Sequence, residues 1–202
     1  MIKHTSGNLL RAEAEALVNT VNTEGVMGKG IALQFKKAYP AMYDAYRKAA
    51  KSGEIRLGHV QVWPTDQMTG PKYVINFPTK GHWKSRSKLK DIEAGLADLV
   101  EVIRKLGIES IAVPPLGCGN GGLDWGDVEP RIVAAFEQVP NVDVLIFAPD
   151  GAPAASEIAT ATKRPEMTAG RAALVELLDR YTLQSFMAPG LIESQKLMYF
   201  LQ

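Results

Sequence analysis

Residues 19–35 read NTVNTEGVMGKGIALQF. The stretch opens inside an apolar, β-branched run, residues 15–22 (EALVNTVN), whose composition suits a buried strand. It closes on the first turn of a helical pattern. Between them sit Gly25, Gly28 and Gly30, with Lys29 beside the last two. Glycine is entropically costly to order and packs nothing. A loop built from it implies that something comes close to the backbone. Strand, glycine loop and helix in that order are one step of an α/β layered fold.

The rest of the chain continues the alternation. Residues 31–53 are helical in pattern, with Pro40 dividing two pieces and Gly53 as a stop. HVQVWPT (59–65) and KYVINFPT (72–79) read as strands joined by a polar turn through Gly70 and Pro71. A basic loop, KGHWKSRSKLK (80–90), leads to the clearest helix. There Leu89, Ile92, Leu96, Leu99, Ile103 and Leu106 fall at spacings of three and four, and Gly107 follows as its cap. SIAVPPL (110–116) is a strand, GCGNGGLDWGD (117–127) a second glycine loop, residues 128–139 a helix and 142–149 a strand. This order predicts helices layered on a sheet. Residues 149–168, rich in Ala, Pro and Thr, read as a linker, and 169–184 as a further helix. In residues 191–202, Leu191, Leu197, Met198, Phe200 and Leu201 would give a helix an apolar face that needs a cover.

Composition excludes several classes. The chain has 202 residues, 46% hydrophobic and 22% charged, with a formal net charge of +1. Global charge therefore predicts no polyanion partner, and any nucleic-acid contact must be local. One cysteine, Cys118, rules out an internal disulfide and suits a reducing compartment. No apolar run has the length of a membrane span, and the first ten residues lack the apolar stretch of a signal peptide. The expectation is a cytoplasmic protein with no membrane partner. His4, His59 and His82 show no metal spacing and Cys118 has no cysteine neighbour, so neither metal nor cofactor is expected.

Each glycine loop follows a strand and precedes a helix. In an open α/β sheet that places both at the carboxyl ends of strands, where ligands bind. Backbone N–H groups ahead of a helix N-terminus make an anion site. The expected ligand therefore carries phosphate. GVMGKG does not fit a P-loop, because glycine stands where the Ser or Thr after the lysine belongs, and the first-glycine spacing is wrong. GCGNGG (117–122) matches GxGxxG, a weak signal without its βαβ context.

Taken together, GNLL, EALVNTVNTEGVMGKGIALQF, INFPTK, PPLGCGNGGLDW and FAP resemble the macrodomain family, modules that bind ADP-ribose, across residues 1–150. Lys80 of FPTK and the GVMGKGIALQFK string are similar to the DarG-type antitoxin branch and to the human terminal ADP-ribose protein glycohydrolase. The resemblance implies a three-layer α/β/α fold with a mixed sheet, plus C-terminal helices. It implies a hydrolase that removes ADP-ribose from thymidine in single-stranded DNA, reversing a DarT-type toxin. The macrodomain core would span 1–150, a linker and packing helix 151–188, and the start of a toxin-neutralising domain 189–202.

Carried over to this sequence, the resemblance makes Lys80 catalytic, with Asp124 as an acidic partner. Asn22 would contact the distal ribose, with Thr20, Val26, Met27, Gly28, Lys29 and Gly30 lining ribose and phosphates. Gly117, Cys118, Gly119, Asn120, Gly121, Gly122 and Leu123 would form the diphosphate loop after Pro115. Phe147 and Pro149 would pack the adenosine, with Leu9 and Asn8 near the base. Asn8 replaces an aspartate common in the family and can still accept from an amine, without the charge.

The resemblance implies a chemistry in which a neutral lysine would attack the anomeric carbon and water would release the product. Desolvation and nearby cations (Lys29, Lys84, Arg86, Lys88) would lower the lysine's pKa. Asp124 stands equally well as an N-terminal helix cap, and Lys80 otherwise as a solvated surface lysine. Cations around His82 and Trp83, namely Lys84, Arg86 and Lys88, suit phosphate contacts and base stacking on DNA, or form an ordinary solvated loop. Cys118 reads as a small residue tolerated where backbone does the binding. The competing functions are a hydrolase of protein-linked or acetylated ADP-ribose and a non-catalytic ADP-ribose reader.

Overall fold

In the computed structural model, residues 1–149 and 169–185 are described. A six-stranded sheet carries the strands in the order β1-β6-β5-β2-β4-β3. They are β1 (Ile2–Thr5), β2 (Ala16–Asn22), β3 (Gln61–Pro64), β4 (Tyr73–Lys80), β5 (Ser110–Val113) and β6 (Asp143–Phe147). All neighbours are parallel except β3, which runs antiparallel to β4 at one edge. The sheet is mixed, as expected. The helices are α1 (Gly30–Ala38), α2 (Pro40–Lys51), α3 (Leu89–Leu106), α4 (Trp125–Phe136) and α5 (Ala169–Ser185).

Strand alternation sorts the core into two layers. From β2, Leu17 and Val21 enter one layer with Phe35, Met42 and Tyr46 of α1 and α2. Ala16 and Val18 enter the other with Ile92, Leu96, Leu99 and Ile103 of α3 and Val128 and Ile132 of α4. Helices thus cover both faces, giving three layers. Of the α3 stripe read from spacing, Ile92, Leu96, Leu99 and Ile103 are buried, Leu89 is half-buried and Leu106 is exposed. Gly107 ends the helix at φ +61° with its N–H on the Ile103 carbonyl. Pro40 starts α2 at its first turn.

The chain divides into two compact units, Met1–Thr162 and Lys163–Gln202. In the second, α5 forms where the sequence predicts a helix, with a Glu176–Arg180 pair one turn apart at 2.8 Å. Residues 150–168 of the expected linker and the apolar segment (191–202) lie outside the described residues.

Two features differ from the sequence reading. β1 was not expected; it is an edge strand with one apolar residue, ordered by parallel pairing of Ile2–Thr5 with Val144–Phe147. A short 3-10 turn, Leu9–Arg11, follows it, capped by the Asn8 side chain accepting from Leu10 N at 3.1 Å.

Candidate functional site

The five parallel strands end at the same edge of the sheet, and a cleft of about 640 Å3 opens there. Its walls come from the ends of those strands and the segments that follow: Asn8 after β1, Asn22, Val26 and Gly28 to Ile31 from β2 onward, Lys80, Trp83 and Lys84 from β4, Pro114, Pro115, Gly117 and Gly119 to Gly121 after β5, and Phe147 to Pro149 from β6. That is the ligand position of an open α/β sheet, and the volume suits a small molecule.

The two glycine loops face one another across the cleft. A Cβ built on Gly30 would stand 3.3 Å from Asn120 Nδ2, and Gly30 itself has φ +58°, a conformation glycine adopts freely. Gly28 and Gly119 behave differently. A Cβ on Gly28 would meet only Val26 Cγ1, at 3.9 Å, and one on Gly119 would meet nothing within 4 Å. Neither glycine has a positive φ, so the fold does not require either. Both leave bare backbone facing open space, the arrangement a phosphate-bearing ligand fills. Behind the first loop, α1 starts at Gly30 with no side-chain cap on its amides. In the second, the N–H groups of Gly119, Asn120 and Gly121 have no acceptor among the described residues, whereas those of Cys118, Gly122 and Leu123 bond within the loop.

Lys80 is the last residue of β4. β2 and β4 pair in register to Val21–Pro78 and then skip Thr79, so Asn22 pairs with Lys80. The extra residue is a bulge, which turns the strand end. Pro78 fits there because β3 pairs only with Tyr73–Asn76 and leaves that side of the strand unpaired. Lys80 is half-buried on the cleft wall, and its Nζ donates to the Asn120 carbonyl at 3.0 Å. Burial holds its pKa below the ordinary lysine value. The neighbouring cations make no resolved contribution, so desolvation alone supplies what the sequence assigned to both.

The sequence-predicted binding residues separate into two groups. Asn8, Leu9, Thr20, Asn22, Val26, Gly28, Lys29, Gly30, Pro115, Gly117, Gly119, Asn120, Gly121, Phe147 and Pro149 all line the cleft. Met27, Cys118, Gly122 and Leu123 do not. Met27 is 1% exposed, packed into the α1–α2 layer beside Asn19. Asn22 lines the cleft, yet its side chain largely staples its own loop. Nδ2 donates to the Val26 carbonyl at 2.6 Å, and Oδ1 accepts from the N–H groups of Glu24 and Val26. The Tyr46 hydroxyl donates to the Asn22 carbonyl at 2.5 Å from below.

Of the basic loop, Trp83 and Lys84 line the cleft; His82, Arg86 and Lys88 do not. Trp83 is 45% exposed, stacked on His82 with ring centres 5.6 Å apart and with Lys84 Nζ 4.9 Å above its face. His82 reaches Glu24 of the first glycine loop at 3.5 Å. Arg86 donates to the Gly122 carbonyl at 2.8 Å.

Asp124, the other residue expected to be catalytic, does not line the cleft; it caps α4, its Oδ1 accepting from Gly126 N at 2.7 Å, while Oδ2 has no partner among the described residues. Cys118 is half-buried, and burial together with the Asp124 charge pushes its thiol up to about 11. It stays protonated near neutrality and is a poor nucleophile. Sequence reasoning missed Gly7, Leu10 and Val21, Ile31, Ala32 and Gln34 of α1, and Thr79, Pro114 and Ala148 as cleft residues. The last three flank assigned motifs; the α1 residues are exposed only by knowing which turn of the helix meets the cleft. Among the described residues no cluster of His, Cys, Asp or Glu is arranged to hold a metal, and no helix is long and apolar enough to cross a membrane.

A family model described as the Macro domain matches residues 18–132. A Mycobacterium tuberculosis protein named DNA ADP-ribosyl glycohydrolase is 56% identical over 208 aligned positions, covering 99% of this chain and 58% of its own length. The solved macrodomain of Mycobacterium tuberculosis DarG superposes with a TM-score of 0.74 at 63% identity, over 74% of this chain and 99% of that one. A Thermosipho africanus DNA ADP-ribosyl transferase–DNA ADP-ribosyl glycohydrolase fusion protein is 34% identical over 71% of this chain and 40% of its own length. The chain thus spans little more than half the length of that Mycobacterium tuberculosis DNA ADP-ribosyl glycohydrolase.

Proposed function

The chain belongs to the macrodomain family, and on that premise we propose that it is a hydrolase that removes ADP-ribose from thymidine in single-stranded DNA, reversing a DNA ADP-ribosyltransferase toxin. The observation that carries this reading is Lys80: a half-buried amine of lowered pKa on the cleft wall, hydrogen-bonded to a glycine loop whose free amides suit a diphosphate. A protein that only binds ADP-ribose has no use for such an amine.

In this reading the adenosine lies toward Asn8, Phe147 and Pro149, and the diphosphate between Gly28–Gly30 and Gly119–Gly121. The distal ribose then reaches Asn22 and Lys80. The bond to be broken joins its anomeric carbon to a thymine nitrogen, through a transition state with oxocarbenium character. Neutral Lys80 can donate one hydrogen to the Asn120 carbonyl and keep its lone pair for that carbon. As the new C–N bond forms, the glycosidic bond breaks and its electron pair leaves with the thymine nitrogen, which takes the proton that the alkylated Lys80 nitrogen gives up. Water then releases ADP-ribose and restores the amine. Asp124 is exposed and does not line the cleft; its free Oδ2 would have to reach a hydroxyl or water from outside that lining to polarise it.

Trp83 at the mouth of the cleft, with Lys84 above it, supports DNA as the carrier, since an exposed ring beside a cation stacks bases and holds phosphate. The toxin partner is supported by the fusion relative, in which transferase and glycohydrolase share one chain. The test is release of ADP-ribose from an oligonucleotide modified on thymidine, by the wild type and by Lys80→Ala. Release by the wild type alone is expected. No release with ADP-ribose binding retained would leave a reader, or a hydrolase of carboxyl-linked ADP-ribose.

A further inference from the structure

The segment that joins β4 to α3 makes three separate bonds to the second glycine loop, all to carbonyl groups. Lys80 Nζ donates to Asn120 O at 3.0 Å, the Ser87 amide to Gly121 O at 3.0 Å and Arg86 Nη2 to Gly122 O at 2.8 Å. A peptide is planar and trans, so fixing a carbonyl fixes the N–H across the same bond. The peptide held by Arg86 thereby aims Leu123 N at Gly117 O, and the one held by Ser87 aims Gly122 N at Gly119 O, the two bonds that close the loop. The amides left over, at Gly119, Asn120 and Gly121, are the ones available to an anion.

Packing repeats the same relationship. A Cβ on Gly121 would stand 2.3 Å from Ser87 Oγ, one on Gly117 would stand 3.0 Å from Ser87 Cβ, and one on Gly122 would stand 3.3 Å from both Nε and Nη2 of Arg86. Three of the four glycines in residues 117–122 are therefore glycine in contact with Ser87 or Arg86. The fourth, Gly119, faces open space.

From this geometry we infer that Arg86 is a positioning residue for the anion loop rather than a DNA contact. Its guanidinium, lying along Gly122, holds the loop in the form that presents its free amides. The inference rests on the proposal that this loop receives the diphosphate of ADP-ribose. It separates the basic segment into two functions: Trp83 and Lys84 face the cleft mouth, while Arg86 and Ser87 brace its wall.

The experiment uses Arg86→Ala and reads free ADP-ribose affinity, affinity for an unmodified single-stranded oligonucleotide against salt, and amide exchange in residues 117–123. Losing a charge-assisted bond and the loop order it maintains is expected to weaken ADP-ribose by about tenfold and to speed exchange at Gly122 and Leu123. The KM for ADP-ribosylated oligonucleotide should rise by a similar factor. The melting temperature and the salt slope for unmodified DNA should not move. If exchange and ADP-ribose affinity are both unchanged, the brace is refuted. A fall in DNA affinity with a salt slope shallower by about one and normal ADP-ribose binding would overturn it in favour of a phosphate contact. A wild type that does not bind ADP-ribose would instead overturn the reading of the cleft, while the exchange measurement would still decide whether Arg86 braces the loop.

Discussion

Lys80 Nζ sits 3.0 Å from the backbone oxygen of Asn120, so the amine proposed as nucleophile and the loop proposed to seat the diphosphate are one hydrogen-bonded unit. Burial lowers the pKa of Lys80. Only the neutral amine attacks, so its active fraction rises with pH. The single-turnover rate is expected to climb about tenfold per pH unit below that pKa and to level off before the ordinary lysine value of 10.5. Lys80→Ala should remove this dependence along with turnover and leave ADP-ribose affinity within a few-fold. A flat rate across the alkaline range would exclude the nucleophile.

The sign for stability follows from the same group. A lysine whose folded pKa lies below its unfolded value binds fewer protons folded than unfolded in the interval between them, so stability rises with pH across that interval. The cost of burying the ammonium is present at lower pH. Lys80→Met should therefore shrink the rise in melting temperature between neutral and alkaline buffers, measured as the difference from wild type.

Asp124 holds two roles apart in its two oxygens: Oδ1 caps α4 and Oδ2 is free. Asp124→Asn can keep the cap and removes the charge; Asp124→Ala removes both. Losing the cap costs about 1 kcal/mol, so the alanine variant should unfold at lower urea and the asparagine variant should not. If the carboxylate polarises the attacking water, both variants lose turnover by on the order of a hundredfold. Full activity in the asparagine variant would leave Asp124 as a cap only.

How far the sequence carried these arguments depended on range. The α3 stripe and its Gly107 cap were legible because helical spacing and a left-handed terminus are local properties. The cleft was legible because both glycine loops follow strands that end at one sheet edge. β1 was not, since Lys3, His4 and Thr5 carry no apolar signal and the strand exists only through pairing with β6, some 140 residues away in the chain. The Thr79 bulge that turns Lys80 was hidden for the same reason: it is a relation between β2 and β4, visible in neither alone. Arg86 reads from sequence only as a charge; the Gly122 carbonyl that accepts from it is a long-range relation the sequence does not display.

Trp83 is the exposed ring at the cleft mouth, held by His82 stacking and topped by Lys84. Base stacking on such a ring contributes about 1–3 kcal/mol. Trp83→Ala should weaken an ADP-ribosylated oligonucleotide by that amount, and free ADP-ribose by much less, with the salt slope unchanged because no charge is lost. Lys84→Ala should also weaken the oligonucleotide but, because a charge is lost, make the slope shallower by about one. Equal losses for oligonucleotide and free ADP-ribose in the tryptophan variant would mean that the ring contacts the ADP-ribose itself.

The cleft depends on a close approach made far from it. In α3, Gly95 packs on Phe77 of β4 so tightly that an added Cβ would stand 2.4 Å from Phe77 Cζ. Phe77 is fully buried, three residues before Lys80 on the same strand. Gly95→Ala should gain helix propensity worth about 1 kcal/mol and lose about 1–3 kcal/mol to overpacking. The rigid ring has little room to turn, so the loss should win and urea unfolding should shift to lower concentration. Gly95→Ala combined with Phe77→Leu removes the clash and keeps an apolar side chain. The pair should be more stable than the sum of the two single changes, a positive coupling that additivity of distant sites would not give. Simple addition would show that α3 slides to accommodate the methyl group. In that case turnover at Lys80 becomes the informative readout, because a shifted β4 carries its terminal lysine with it.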